Sequence, residues 1–185
     1  MTLNLPNRIT LLRIGLIPAF LFVFFVQPFF SVINDWLALV LFSSAAITDA
    51  IDGHLARKHG LVTNFGKLMD PLADKLLVCS ALVAFTATGL LPAWAVIILI
   101  SREFYISGLR QLALEQNIVL AATRIAKFKT AAQITLIIYI IVPPPFTILV
   151  FDIVIWILIV VTILLSIASA VDYTIKNKQI FDSKE

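Results

Sequence analysis

Six long apolar runs, separated by short stretches that hold most of the charge, leave this chain few ways to fold. Backbone surrounded by hydrocarbon must satisfy its own hydrogen bonds, so runs of about 20 apolar residues are read as membrane-spanning helices. Hydrophobic residues make up 61% of the chain and charged residues 14%, against roughly a quarter charged in a soluble domain. The expected fold is therefore all-α: a polytopic membrane protein with six transmembrane helices and a short N-terminal interfacial segment, residues 1–8. The spans run from about Ile9 to Phe30, with a kink expected at Pro18, from Trp36 to Thr48, and from Asn64 or Gly66 to Gly89. Three more run from Trp94 to Leu112, from about Arg124 to the prolines at 143–145, and from Thr147 to Tyr173. No repeat or separate soluble domain is visible, so residues 1–185 read as one domain. The first apolar run has no small-residue cleavage site after it and reads as a retained span rather than a signal peptide. The single Cys79 excludes an intrachain disulfide, and a net charge of +3 gives no reason to expect a nucleic-acid partner.

An even number of spans puts both termini on one side. With six, the lysines and arginines all fall on that side: the N-terminus, the links between spans two and three and between spans four and five, and the tail with Lys176, Lys178 and Lys184. The opposite turns carry only Asp35 and Asp152, with Trp36 and Trp94 as interface anchors. By the positive-inside rule the basic side is cytoplasmic.

Against this apolar background one stretch stands out, Asp49 to Asp74. Asp49, Asp52, Gly53, Ala56 and Arg57 fall at i, i+3, i+4, i+7 and i+8, one face of a helix; Gly66, Asp70 and Asp74 line one face of a second. The rise from Trp36 to Asp49 is only ~20 Å, short of a ~30 Å hydrocarbon core, so Asp49 lies below the membrane surface. Two helices joined near His59 to Asn64 could turn these faces together into a cage of four carboxylates, beside glycines that let a ligand approach backbone. Such a cluster repels itself unless cations fill it, and all-oxygen ligands favour Mg²⁺, Mn²⁺ or Ca²⁺. A pair of cations suits in-line phosphoryl displacement, Arg57 could hold phosphate, and a carboxylate could take the proton of an attacking hydroxyl. Helix capping or pairing with Arg57, Lys58, Lys67 or Lys75 accounts for one or two of the acids but not for four. His54 and His59 read as loop or interface residues.

The pattern Asp49-x2-Asp52-Gly53-x2-Ala56-Arg57-x8-Gly66-x3-Asp70-x3-Asp74 resembles, without a departure, the motif of the CDP-alcohol phosphotransferases. The resemblance implies six transmembrane helices, a homodimer, and transfer of a CDP-linked phosphate group to an alcohol with release of CMP. It implies that Asp49, Asp52, Asp70 and Asp74 hold two divalent metals, Mg²⁺ or Mn²⁺, and that Asp74 also acts as the base. Asp49, Gly53, Ala56, Arg57 and Gly66 would then cradle the cytidine and diphosphate of the donor.

Outside the motif, Asn4 to Arg13 (NLPNRITLLR), Ser101 to Arg110 (SREFYISGLR) and Ala126 to Gln133 (AKFKTAAQ) are similar to the bacterial phosphatidylglycerophosphate synthases of that family. Ala126 stands where those proteins usually have glycine. This resemblance implies CDP-diacylglycerol as donor, glycerol 3-phosphate as acceptor, and residence in the bacterial inner membrane with the site facing the cytoplasm. Arg110, Arg124, Lys127 and Lys129 are the expected ligands of the acceptor phosphate, while Arg102 beside Glu103 could instead be a structural ion pair. The alternatives are a family member using another acceptor (cardiolipin, phosphatidylserine or phosphatidylinositol-phosphate synthesis) and a divalent-cation transporter. The transporter is disfavoured because the acids lie in the cytoplasmic third rather than at the midplane.

Overall fold

The computed structural model describes residues 5–26, 31–59, 64–116, 118, 120, 123–142 and 148–180. Side chains are described for these except residues 5–9, 31–32, 49–59, 64–68, 70–71, 148–149 and 179. Among the described residues there are six α-helices and no strand: α1 (Leu5–Phe25), α2 (Ser31–His59), α3 (Asn64–Ala87), α4 (Ala93–Glu115), α5 (Arg124–Ile141) and α6 (Ile148–Lys176). A short 3₁₀ turn, Lys178–Ile180, follows α6.

The helices fall on the apolar runs, with differences at their ends. α1 begins at Leu5, so part of the expected interfacial lead-in is already helical; Pro6 sits in the first turn, where its missing N–H costs nothing. The helix runs on through Pro18 and ends at Phe25, before the expected Phe30, which lies outside the described residues. α2 continues past the end of its apolar part at Thr48 to His59, as the helical face expected from Asp49 to Arg57 requires. α3 ends at a tight turn: Gly89 has φ 77°, and Leu90 N–H donates to the Phe85 carbonyl at 2.9 Å. That pairing satisfies a terminal carbonyl at the one point where the chain needs a left-handed residue. Thr123 opens α5, its hydroxyl accepting from the Ala126 N–H at 3.2 Å, an N-cap of the usual kind.

The chain forms two compact units, Met1–Leu90 with Ile141–Pro143, and Leu91–Ile140 with Pro144–Glu185. In the first, α1 packs against both α2 and α3. Its seam interleaves small and large residues. Ala38, Ala45, Ala73 and Ala81 are fully buried beside Phe20, Phe42 and Phe85, the Phe20 and Phe42 rings 5.8 Å apart and Phe24 edge-on to Phe85 at 5.3 Å. Lipid is as apolar as leucine, so close packing of this kind, rather than exclusion of water, is what holds spans together.

In the second unit α6 packs against α4, and Tyr139 of α5 stacks on Phe151 of α6 at 5.0 Å. α6 exposes an apolar face. Its buried stripe carries the polar groups Thr162, Ser166, Ser169 and Tyr173 among Ile155, Ile159 and Ile163, whereas Trp156, Ile157, Val160, Val161, Leu164, Ile167, Val171 and Ile175 are exposed. An apolar outer face with hydroxyls held within suits a helix bathed in lipid. Among the described residues one helix, Val150–Lys176, is long and apolar enough to cross a membrane by length and composition alone; Thr10–Phe25 and Ile33–Thr48 are shorter apolar stretches. The other helices carry charge inside their length: Arg13 in α1, Asp49 and Asp52 in α2, Arg102 and Glu103 in α4.

Candidate active site

Because α2 is unbroken from Ser31 to His59, Asp49, Asp52, Gly53, Ala56 and Arg57 occupy one helical face, as their spacing requires. That face has a neighbour already assigned by packing. Ala38, Phe42 and Ala45 are buried, and Asp49, Asp52 and Ala56 continue their register. On α3 the positions of Gly66, Asp70 and Asp74 lie in one helix, and Leu77 and Ala81, both buried, continue their register. α2 and α3 pack together and only residues 60–63 join them; helices in contact across so short a link are antiparallel neighbours. Both halves of the motif therefore sit at the joined end of one helical hairpin.

The side chains of Asp49, Asp52, Ala56, Arg57 and Asp70, and the surroundings of Gly53 and Gly66, lie outside the described residues. Asp74 is described and exposed, beside the fully buried Ala73. Among the described side chains no cluster of three or more His, Cys, Asp or Glu is present; of the four motif acids only Asp74 is among them. His54 and His59 belong to the last turns of α2 rather than to a loop. The donor set itself is all carboxylate, spaced i, i+3 on one helix and i, i+4 on the next. It matches a hard divalent cation and offers nothing to a soft one.

The expected acceptor-binding cations are in the second unit. Arg124 and Lys127 are exposed on the first turns of α5. Arg110 is exposed on α4, yet its Nε donates to the Tyr173 hydroxyl at 3.1 Å and its guanidinium lies 5.7 Å from the centre of that ring, so a buried tyrosine fixes the direction of an exposed charge. Lys129 differs from the other three. It is 1% exposed and forms an ion pair with Glu103 of α4, and its Nζ also donates to Gln133 Oε1. Glu103 accepts from Arg102 as well, at 3.4 Å, and Arg102 donates to Ser169 Oγ of α6 at 2.6 Å. The structural ion pair considered for Arg102 is present, and it extends into a chain of charges linking α4, α5 and α6.

Sequence reasoning passed over Gln133, Ser169 and Tyr173. The signal was there in the polar stripe Thr162, Ser166, Ser169 and Tyr173, spaced i, i+4, i+7 and i+11 within the most apolar helix. Polar groups in such a register mark the buried face of a span.

Comparison with known proteins identifies the family. Residues 3–166 match the family model described as CDP-alcohol phosphatidyltransferase, which takes in both motif helices and the cations of α4 and α5. The protein of Bacillus subtilis (strain 168) named CDP-diacylglycerol–glycerol-3-phosphate 3-phosphatidyltransferase is 47% identical over 146 residues, covering 71% of this chain and 72% of that protein. A protein of the same name from Rickettsia bellii is 38% identical over 130 residues, 70% of each chain. A probable phosphatidylglycerophosphate synthase of Mycobacterium tuberculosis (strain H37Rv) is 39% identical over 130 residues, 70% of this chain and 62% of that one. With the family motif whole on α2 and α3 and the match running through most of its length, this chain belongs to the CDP-alcohol phosphatidyltransferase family.

Proposed function

We propose that this protein transfers the phosphatidyl group of CDP-diacylglycerol to glycerol 3-phosphate, yielding phosphatidylglycerophosphate and CMP. The observation that carries this reading is the meeting of both motif halves at one end of the α2–α3 hairpin, in a chain whose relatives bear the name of that reaction.

In this reading Asp49, Asp52, Asp70 and Asp74 hold two Mg²⁺ or Mn²⁺ ions. When bound, such ions would neutralise the diphosphate oxygens and the charge gathering on departing CMP. Gly53, Ala56 and Gly66 keep the helix surface low beside the nucleotide, and Arg57 contacts the diphosphate. Asp74 takes the proton of the glycerol 1-hydroxyl, whose oxygen bonds to the phosphorus bearing diacylglycerol as the bond to CMP breaks. Arg110, Arg124 and Lys127 bind the acceptor phosphate with exposed charge, and Lys129 adds a buried positive charge fixed by Glu103.

All six helices are read as spans of one domain in the bacterial inner membrane, with both termini and the motif cytoplasmic, and the enzyme as a homodimer. The support is the one-sided distribution of lysine and arginine and the apolar exposed face of α6, with its hydroxyls buried. The deciding experiment supplies purified protein with CDP-diacylglycerol and Mg²⁺ and measures CMP release with glycerol 3-phosphate, serine, inositol phosphate or phosphatidylglycerol. Release only with glycerol 3-phosphate is expected; release with another acceptor alone would reassign the reaction within the family. Flux of Mg²⁺ or Mn²⁺ into proteoliposomes without nucleotide would move the protein to transport.

A further inference from the structure

Arg13 is fully buried in the middle of the α1 packing face, in one register with Thr10, Ile17, Phe20 and Phe24. An arginine removed from both water and headgroups needs a counter-charge. The first unit offers few. Residues 1–90 contain no glutamate, and their only aspartates are Asp35, Asp49, Asp52, Asp70 and Asp74.

Two ring contacts fix which of these lie at its height. Phe20 of α1 meets Phe42 of α2, and the short link 26–30 makes these helices antiparallel. Seven residues back from Phe20 is Arg13, and seven forward from Phe42 is Asp49, each a rise of ~10 Å in the same direction. Phe24 of α1 meets Phe85 of α3, and α1 and α3, each antiparallel to α2, run parallel. Eleven residues back from Phe24 is again Arg13; eleven back from Phe85 is Asp74, each a rise of ~16 Å. Independent contacts thus bring Arg13 level with one motif acid on each neighbouring helix. Asp35, at the other end of α2, is ~21 Å farther along.

We propose that Arg13 is a positioning residue of the carboxylate site: its guanidinium pairs with Asp49 or Asp74, fixes that carboxylate from the α1 side, and offsets part of the repulsion within the acidic cluster. The inference rests on reading the motif as the active site, but the pairing is testable without substrate or metal.

The experiment is a double-mutant cycle on the apparent Tm of the full-length protein in detergent with EDTA, using Arg13→Gln, Asp49→Asn, Asp74→Asn and the two doubles. Leaving a buried charge unpartnered lowers Tm by roughly 10 °C for a chain of this size. Arg13→Gln combined with the correct Asp→Asn regains at least half of the loss. Arg13→Lys keeps the charge and lies between. If Arg13→Gln fails to accumulate, restoration of folded protein by one of the doubles supports the pairing equally. Purely additive losses in both doubles, or no rescue of accumulation by either, overturn the pairing. In assays with Mg²⁺, Arg13→Lys lowers kcat more than tenfold while both KM values stay within a fewfold; unchanged kcat overturns the positioning role. Because the cycle is scored without turnover, a wrong acceptor or metal assignment leaves its outcome unaltered.

Discussion

Glu103 is the acid shared by Arg102 of α4 and Lys129 of α5, and replacing it tests whether that charge chain is structural. Its two oxygens are divided: Oε1 pairs with Lys129 and Oε2 with Arg102 at 3.4 Å. The side chains are 1% exposed for Lys129, 10% for Arg102 and 20% for Glu103, so water can replace little of what Glu103→Gln removes. Removing one partner of a buried pair costs about 3–5 kcal/mol, and here two cations lose the same partner while repelling each other. At about 2–4 °C per kcal/mol for a chain of this length, Tm falls by roughly 10 °C. Lys129→Met is the informative contrast. It removes a buried charge, fills a similar volume and leaves the part-exposed Glu103 paired with Arg102, so no buried charge loses its last partner and the loss stays within about 4 °C. Thermal unfolding in one detergent, followed by tryptophan fluorescence, compares the two variants. Equal losses, or a Glu103→Gln protein within about 2 °C of the parent, would refute the argument that the carboxylate rather than the lysine is indispensable.

Other perturbations separate the site from its support. Asp49→Asn, Asp52→Asn and Asp70→Asn should each bring CMP release to near background, and EDTA should abolish it reversibly; normal turnover in all three at saturating Mg²⁺ would remove the metal site. Lys127→Ala, at an exposed position, should raise KM for glycerol 3-phosphate about ten- to hundredfold, the value of one charge-assisted hydrogen bond, with KM for CDP-diacylglycerol nearly unchanged. Arg57→Ala should instead raise KM for the donor or cut kcat, which steady-state kinetics with each substrate varied will distinguish. In a Cys79→Ser background, cysteines at His59 and Gln116 should react with impermeant thiol reagents from the cytoplasmic side only, and one at Leu90 from the opposite side only; labelling of His59 from outside would invert the topology.

The sequence alone determined the helices, because hydrocarbon leaves the backbone no other solution and the period of the apolar runs counts the turns. It also determined the family and the motif positions, because fixed spacing along a helix is already geometry: from Asp49 to Arg57 the face follows from about 3.6 residues per turn. Helix ends escaped it in places, as at α1, which begins at Leu5 inside the expected lead-in because a proline is tolerated in the first turn of a helix. What only the tertiary structure decided was the environment of the charges. Lys127 and Lys129 are two residues apart and look alike in sequence, yet the helix turns one outward and buries the other against Glu103. Arg13 reads as ordinary positive-inside charge until Phe20 and Phe24 fix its height against α2 and α3. Burial and partnership depend on which faces meet, and contacts between residues distant in the chain set that.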